Sequence, residues 1–212
     1  RIPDNLAKLT HYGLVIREHE DIRSYKKLVP SLVQYPNDIL ITADDDIYYP
    51  ENWLERLKEA YMRDPKAIHC HRAHRITLDT QGFPLPYSLW EREVSHSDET
   101  ALLFPTTGAG VVYPPGSLDS RATDSELFSK LAPTADDVWF WAMARLKGTR
   151  VELLEKGFSA GDGLAVNGPT LLDVNRGEGG NDESIRRILD FFPSIRYQIT
   201  KVSESETAGE QQ

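Results

Sequence analysis

Three consecutive carboxylates, Asp44, Asp45 and Asp46, follow the apolar run Ile39-Leu40-Ile41 in the stretch ITADDDIYYPENW. Adjacent like charges repel and strands disfavour aspartate, so the triplet belongs to a turn where a strand ends. Clustered carboxylates stay wet or hold a cation, because an unpaired charge is costly to desolvate. Oxygen ligands of this kind suit Mg²⁺ or Mn²⁺, which bridge one or two carboxylates to substrate phosphates. The competing reading is a solvated acidic turn with one Asp capping the next helix. A second pair, Asp136 and Asp137, stands in PTADDVWFW. Thr134 reads as the N-cap there, with Asp137 at the third helical position. Acids in a first helical turn are also stabilised by the helix dipole alone, so the pair by itself requires no chemistry. Both acidic groups together suggest a division of labour. One holds metal and diphosphate, and the other accepts a proton from a nucleophile.

Several further residues could serve such a site. Lys26 and Lys27 are competent phosphate partners, although a solvated helix face explains either one alone. Thr106, Thr107, Gly108 and Gly110 would let backbone approach a ligand closely, or make an ordinary tight turn. Trp90 and Tyr113 could stack on a ligand ring, but aromatics are more often core. The run HCHRAH places His69, Cys70, His71 and His74 together. On a strand His69 and His71 face one way and Cys70 the other, which favours structural roles over a zinc site. Arg72 and Arg75 are weaker candidates for the same ligand site. Asn181-Asp182 reads as the N-cap of a last helix, or as a late loop that closes over a ligand.

The elements that must position these residues alternate. Residues 1–12 are polar and helical in pattern, anchored by Leu6 and Leu9. Leu14, Val15 and Ile16 read as a short strand. Residues 24–34 have near-helical apolar spacing, with Pro30 marking a kink or a late helix start. Residues 39–42 read as a buried strand. Pro50 opens a helix whose stripe is Trp53, Leu54, Leu57, Ala60 and Tyr61, and Asp64-Pro65 ends it. Residues 67–76 form one more strand. This order predicts an α/β fold with a mostly parallel sheet flanked by helices, and in such sheets ligands bind beyond the carboxyl ends of the strands. Residues 77–118 are the least regular. A helix follows Thr134 and ends at Gly148, placed as its C-cap. Residues 151–154 form a short strand, 160–182 a long glycine-rich loop, and 183–192 a final helix. The chain divides into one domain over 1–202 and a disordered tail over 203–212.

Composition removes some classes. The chain has 212 residues, 40% hydrophobic and 27% charged, which supports a packed core. A net charge of −9 argues against a nucleic-acid partner. The single cysteine, Cys70, has no partner for an internal disulfide, which fits a reducing compartment. No apolar run is long enough for a transmembrane segment.

ILITADDDIYYPENWLERL resembles the DxD region of GT-A glycosyltransferases, especially bacterial family-2-like enzymes that build surface polysaccharides. TADDVWFWAMARLKG resembles their later acidic motif at a helix start. TTGAGVVYPPGSLD is similar to the glycine-bearing acceptor-side segment between the two. The order and spacing agree over residues 14–155. Aligned on Trp53-Leu54, Ala43 stands where the first acid is usual, Asp45 matches the metal-binding Asp, and Asp46 follows it. Aligned on the acids, Asp44 and Asp46 are the pair. The resemblance implies a GT-A, Rossmann-like fold, Mn²⁺ or Mg²⁺ at these acids, and donor contacts from Lys26 and Lys27. It implies acceptor contacts from Thr107, Gly108 and Gly110. Asp137 becomes the base of an inverting transfer, with Asp136 beside it. The partners implied are a nucleotide-sugar donor and a glycan or lipid-linked saccharide acceptor, in the cytoplasm or at the inner membrane face. The family also places one more strand–helix unit ahead of Arg1. Two rivals use the same residues. One is a metal-dependent nucleotidyltransferase or pyrophosphatase, and the other is a Ca²⁺-stabilised glycan-binding domain without enzymatic activity.

Overall fold

The structure, a computed structural model, describes residues 2–96, 101–155, 157–158 and 179–209, the last eight of these as backbone only. Helix α1, Asp4–Lys8, continues into a 3₁₀ turn, Leu9–Tyr12. Leu14, Val15 and Ile16, expected as a strand, form none, and Val15 is 65% exposed. An apolar triplet becomes a strand only when a neighbouring edge pairs with it and a core covers it. A 3₁₀ turn, Arg23–Lys27, leads into α2, Val29–Gln34. Pro30 lies in the first turn of α2, where its missing N–H costs no bond, so the late start is observed.

The chain then enters the sheet at β1, Leu40–Ile41. Helix α3, Trp53–Arg63, follows, beginning three residues after Pro50. Leu57 and Ala60 are fully buried against Val112 and Leu154, and the helix stops at Asp64 before Pro65. The stretch 67–76 is not one strand. It breaks at His71 and Arg72 into β2, Ile68–Cys70, and β3, Ala73–Arg75. β3 leaves the main sheet and pairs antiparallel with β4, Leu103–Pro105. A 3₁₀ turn, Thr107–Ala109, delivers the chain to β5, Val111–Tyr113. Helices α4, Ser125–Leu131, and α5, Asp136–Lys147, precede β6, Val151–Leu153. Helix α6 spans Gly180–Phe191. Helix α7, Pro193–Gly209, carries helical backbone into the stretch 203–212 whose composition predicts disorder.

The main sheet has the order β1-β5-β2-β6. It is open and mixed, not mostly parallel. β5 runs antiparallel to both β1 and β2, and only β2 and β6 are parallel. The β3–β4 pair supplies the reason. The chain reverses through that small sheet and enters β5 from the end opposite to a helical crossover. The class is therefore α/β with helices flanking a mixed sheet, compatible with a Rossmann-like arrangement.

Helix α5 is the centre of the core. Nine of its twelve residues are buried, so it is covered on all sides. Trp139, Trp141 and Met143 are fully enclosed, and each large apolar side chain so buried contributes about 1.5–3 kcal/mol. Gly148 caps the helix in a left-handed conformation, φ 77°, as its sequence position predicts. Tyr25 stacks on Phe128 at 3.9 Å between ring centres. That contact fixes the Arg23–Lys27 turn against the core, and the turn holds Lys27.

Candidate active site

Four segments converge where β1 ends and α5 begins. The turn after β1 brings Asp44, the Arg23–Lys27 turn brings Lys27, and the turn before β5 brings Thr107 and Gly108. The first turn of α5 brings Asp136 and Asp137. The Lys27 ammonium is the hub. It lies 2.5 Å from Asp44 Oδ1 and 3.9 Å from Asp136 Oδ2, and it donates to Thr107 Oγ1 at 3.1 Å. Thr107 in turn donates twice to Asp137 Oδ1, from its backbone N–H at 2.9 Å and its hydroxyl at 2.6 Å. The two acidic groups, far apart in sequence, are thus linked through one lysine and one threonine.

Each segment is held by side chains behind it. Tyr49 accepts the Asp44 backbone N–H and donates its hydroxyl to the Gly108 carbonyl, both at 2.7 Å. The Trp53 indole donates to the Ala109 carbonyl at 2.7 Å. The Thr42 hydroxyl, buried, lies 3.2 Å from the Thr107 carbonyl. The Arg72 guanidinium donates to Thr106 at 2.7 Å. The acid turn and the glycine turn are therefore tied together by polar bonds on an aromatic base, with the Tyr49 and Trp53 rings 4.4 Å apart. None of these ties was singled out from sequence. Trp53 reads there as part of the apolar stripe of its helix, and no local signal separates a bridging tyrosine at position 49 from a packing one.

The electrostatics follow from burial. Asp136 is 7% exposed. Burial pushes its carboxyl up to about 6, the Asp137 charge adds to this, and Lys27 opposes it. Burial pulls the Lys27 ammonium down. The charges of Asp136, Asp44 and Asp137 outweigh that effect and hold it above the ordinary lysine range. For Asp136 the folded-state value lies above the ordinary 3.8, so the neutral form is favoured by folding. Its contribution to stability is present below about pH 4 and is lost as pH rises through about 6. Asp136→Asn is accordingly expected to raise stability at pH 8 by up to about 3 kcal/mol, and by almost nothing near pH 3. Urea unfolding at the two pH values measures this. An equal change at both would show that the carboxyl charge is not the cause.

The expected site residues divide clearly. Asp44, Lys27, Thr107, Gly108, Asp136 and Asp137 come together. Gly110 stands one step back, where its Cα faces the Trp53 indole. Lys26 turns away and pairs with Asp21 on the surface at 2.8 Å. Asp45 is exposed and Asp46 half-buried on the same turn. Thr134 is not the N-cap of α5. That position is Ala135, which puts Asp136 and Asp137 at the first and second helical positions. Asn181 and Asp182 lie inside α6 rather than capping it. Gly179 is the cap, and Asp182 accepts the Tyr87 backbone N–H at 2.6 Å. Trp90 and Tyr113 are core residues, 4% and 2% exposed.

Among the described residues no three His, Cys, Asp or Glu side chains converge as a metal-ligand set. His69 contacts Glu152 and the Asp64 carbonyl, His71 contacts the Trp53 carbonyl, and Cys70 is buried within β2. The histidine run is thus structural. A Mg²⁺ or Mn²⁺ ion that shares a substrate's phosphates needs only one or two protein carboxylates. Asp45, exposed beside Asp44, meets that requirement. Asp44 is engaged by Lys27 through Oδ1, and its side chain stays 25% exposed. The glycine-rich loop predicted over 160–182 lies outside the described residues except from Gly179 onward. Cavities elsewhere among the described residues include one of about 230 Å³ by Leu32, Leu40 and Tyr113, and one of about 500 Å³ between residues 83–86 and α6. No described helix is long and apolar enough to cross a membrane.

No protein-family model matches the chain, and no curated protein matches it.

Proposed function

We propose that this chain is the catalytic domain of a bacterial-type GT-A glycosyltransferase. It would move a sugar from a nucleotide-sugar donor to a glycan or lipid-linked acceptor with inversion. The observation that carries this reading is the linkage of Asp44, Lys27, Thr107 and Asp137 at the end of β1. It puts an anion partner and a hydrogen-bonded carboxylate within one site, as direct displacement at an anomeric carbon requires.

Asp137 is the base. Thr107 fixes Oδ1 by two hydrogen bonds, which orients the carboxylate without neutralising it. The carboxylate takes the proton of the acceptor hydroxyl while that oxygen attacks the anomeric carbon. The bond from that carbon to the donor phosphate breaks, and the nucleoside diphosphate departs with the electron pair. Lys27 offsets charge on the departing group. A divalent ion, held by Asp45 with Asp44 or Asp46, would supply further charge neutralisation there. Gly108 keeps the wall beside Asp44 at backbone height, since a Cβ there would lie 2.6 Å from Asp44 Oδ2.

The test is a calorimetric screen of nucleotide sugars with and without Mn²⁺, followed by product analysis with saccharide acceptors. Nucleotide-sugar binding and acceptor-dependent release of nucleoside diphosphate are the expected results. Cleavage within the diphosphate without an acceptor would instead identify a phosphoryl enzyme. Glycan or Ca²⁺ binding with no nucleotide affinity would identify a binding domain.

Position in the site also separates the two lysines. Lys27→Ala is expected to weaken donor binding by about tenfold or more, as loss of a charge-assisted bond does. Lys26→Ala should leave donor binding within about twofold, since its partner is an exposed Asp21. Equal effects of the two substitutions would remove Lys27 from the donor site.

A further inference from the structure

His71 stands behind the acid site and joins two segments that no strand pairing connects. It follows β2 directly, and it is buried. Its Nε2 lies 3.0 Å from the Trp53 carbonyl oxygen, at the start of α3. Its Nδ1 accepts the backbone N–H of Phe158, just beyond β6, at 3.3 Å. A carbonyl only accepts and a backbone N–H only donates. Both bonds therefore exist together in one form of the ring, the neutral imidazole with its proton on Nε2. Protonation would keep the Trp53 bond and set two N–H groups against each other at Phe158. The junction is close: an added Cβ on Gly157 would lie 1.8 Å from the His71 carbonyl oxygen. Its outer face carries the site. The Phe158 ring lies 5.8 Å from the Tyr49 ring, and the Trp53 indole stacks on His71 at 6.1 Å. These are the aromatics that tie Asp44 to Gly108 and hold the Ala109 carbonyl.

We propose that His71 is a positioning residue that, as a neutral imidazole, fastens the chain leaving β6 against Tyr49 and so steadies the acid turn, and that its protonation loosens that turn. Burial pulls the imidazole below its ordinary range, the Trp53 carbonyl opposes this, and the charge of Arg56 on α3 adds to it. Arg56 also donates to the Glu155 carbonyl, so it braces the same junction. Tyr49, Trp53 and Phe158 bring no charge to the ring. The folded value lies below the ordinary 6.5, so folding favours the neutral form. The contribution of the clamp is whole above about pH 6.5 and is lost as pH falls through the lower folded value. Ligand binding weakens with it, a consequence that rests on the reading of this site as a diphosphate seat.

The test uses the full chain and two amide variants. His71→Asn puts an oxygen where Nδ1 stands, so it keeps the Phe158 bond at every pH. His71→Gln extends its amide toward the Trp53 carbonyl and leaves the Phe158 N–H unmet. Hydrogen exchange reads the protection of the Asp44 amide, whose acceptor is Tyr49. In the unaltered protein that protection should fall about two- to tenfold between about pH 7.5 and about pH 5.5, as loss of one hydrogen bond does. His71→Asn should stay protected at both, and His71→Gln should be low at both. Asp136 titrates over the same range in all three proteins, so the comparison between them isolates His71. Imidazole nitrogen chemical shifts of the unaltered protein need no variant to fold, and they should show a neutral ring with its proton on Nε2 at about pH 7.5. A proton on Nδ1 there, or equal Asp44 protection in folded His71→Asn and His71→Gln, overturns the proposal. Calorimetry of inorganic pyrophosphate with Mn²⁺ reads the site itself, and affinity should follow the same order as protection. If protection follows that order and none of the proteins binds this pair, the clamp stands and the functional reading falls. If the pair binds and the two variants match in protection, the functional reading survives and the clamp falls.

Discussion

Asp137→Asn is expected to lower sugar transfer by about 10²–10⁴-fold, the usual contribution of a positioned general base. The fold should hold. Asparagine keeps an oxygen at Oδ1, so the Thr107 backbone N–H and hydroxyl retain their acceptor. What is lost is the proton-accepting oxygen, because the amide nitrogen that replaces Oδ2 only donates. Donor binding should stay within about threefold, since a purely transition-state contact leaves the ground state unchanged. The measurement is turnover with saturating donor, paired with calorimetry of the donor alone. Turnover within a few-fold of the unaltered protein would mean that Asp137 is not the base. A large loss of donor affinity would place it in the donor site instead.

The neighbouring acid should behave in the opposite way. Asp136 is buried and favours its neutral form, so its replacement adds stability at high pH. Asp137, one residue further along α5, is half-buried and satisfied by Thr107. Two adjacent carboxylates are thus sorted by environment into one buried beside Lys27 and one half-buried and oriented by Thr107. Neither assignment is visible in the dipeptide. It depends on which side of the first helical turn meets the core, and that is set by the aromatic packing of Trp139, Phe140 and Trp141.

Much of the site was legible because its chemistry is local in type. Charged triplets after an apolar run, a glycine-bearing turn and an acidic helix start each announce themselves. Their convergence depends on topology, and the mixed strand order is set by contacts that local residue types do not mark. Residues 67–76 read as one strand, because a continuous run of half-apolar residues carries no mark of the break at His71 and Arg72. That break sends β3 into a second sheet and turns β5 antiparallel. Likewise, Lys26 and Lys27 are indistinguishable in sequence. The 3₁₀ turn that contains them points one toward Asp21 and the other toward Asp44.

The two glycines of the turn before β5 should separate stability from binding when each is changed to alanine. Gly110 has φ +109°, a conformation open to glycine alone, and an added Cβ would lie 2.5 Å from the Trp53 indole nitrogen. That indole is fixed by its bond to the Ala109 carbonyl, so it cannot withdraw without losing the bond. Backbone strain and overpacking each cost about 1–3 kcal/mol, so Gly110→Ala should lose about 2–6 kcal/mol. Against a typical domain stability of about 5–15 kcal/mol, that moves the unfolding midpoint far enough to read directly by denaturant titration. Gly108 differs in what it faces. Its added Cβ would meet Asp44 Oδ2 at 2.6 Å, the far end of a side chain that can rotate. Gly108→Ala should therefore cost little stability and instead push Asp44 off its contact with Lys27, weakening metal-dependent donor binding. If Gly110→Ala unfolds at the same denaturant concentration as the unaltered protein, the Trp53 clamp does not hold this turn. If Gly108→Ala binds donor normally, Asp44 has no part in the site. The opposite pairing of effects, with Gly108→Ala unstable and Gly110→Ala merely weak in binding, would reverse which glycine shapes the ligand wall.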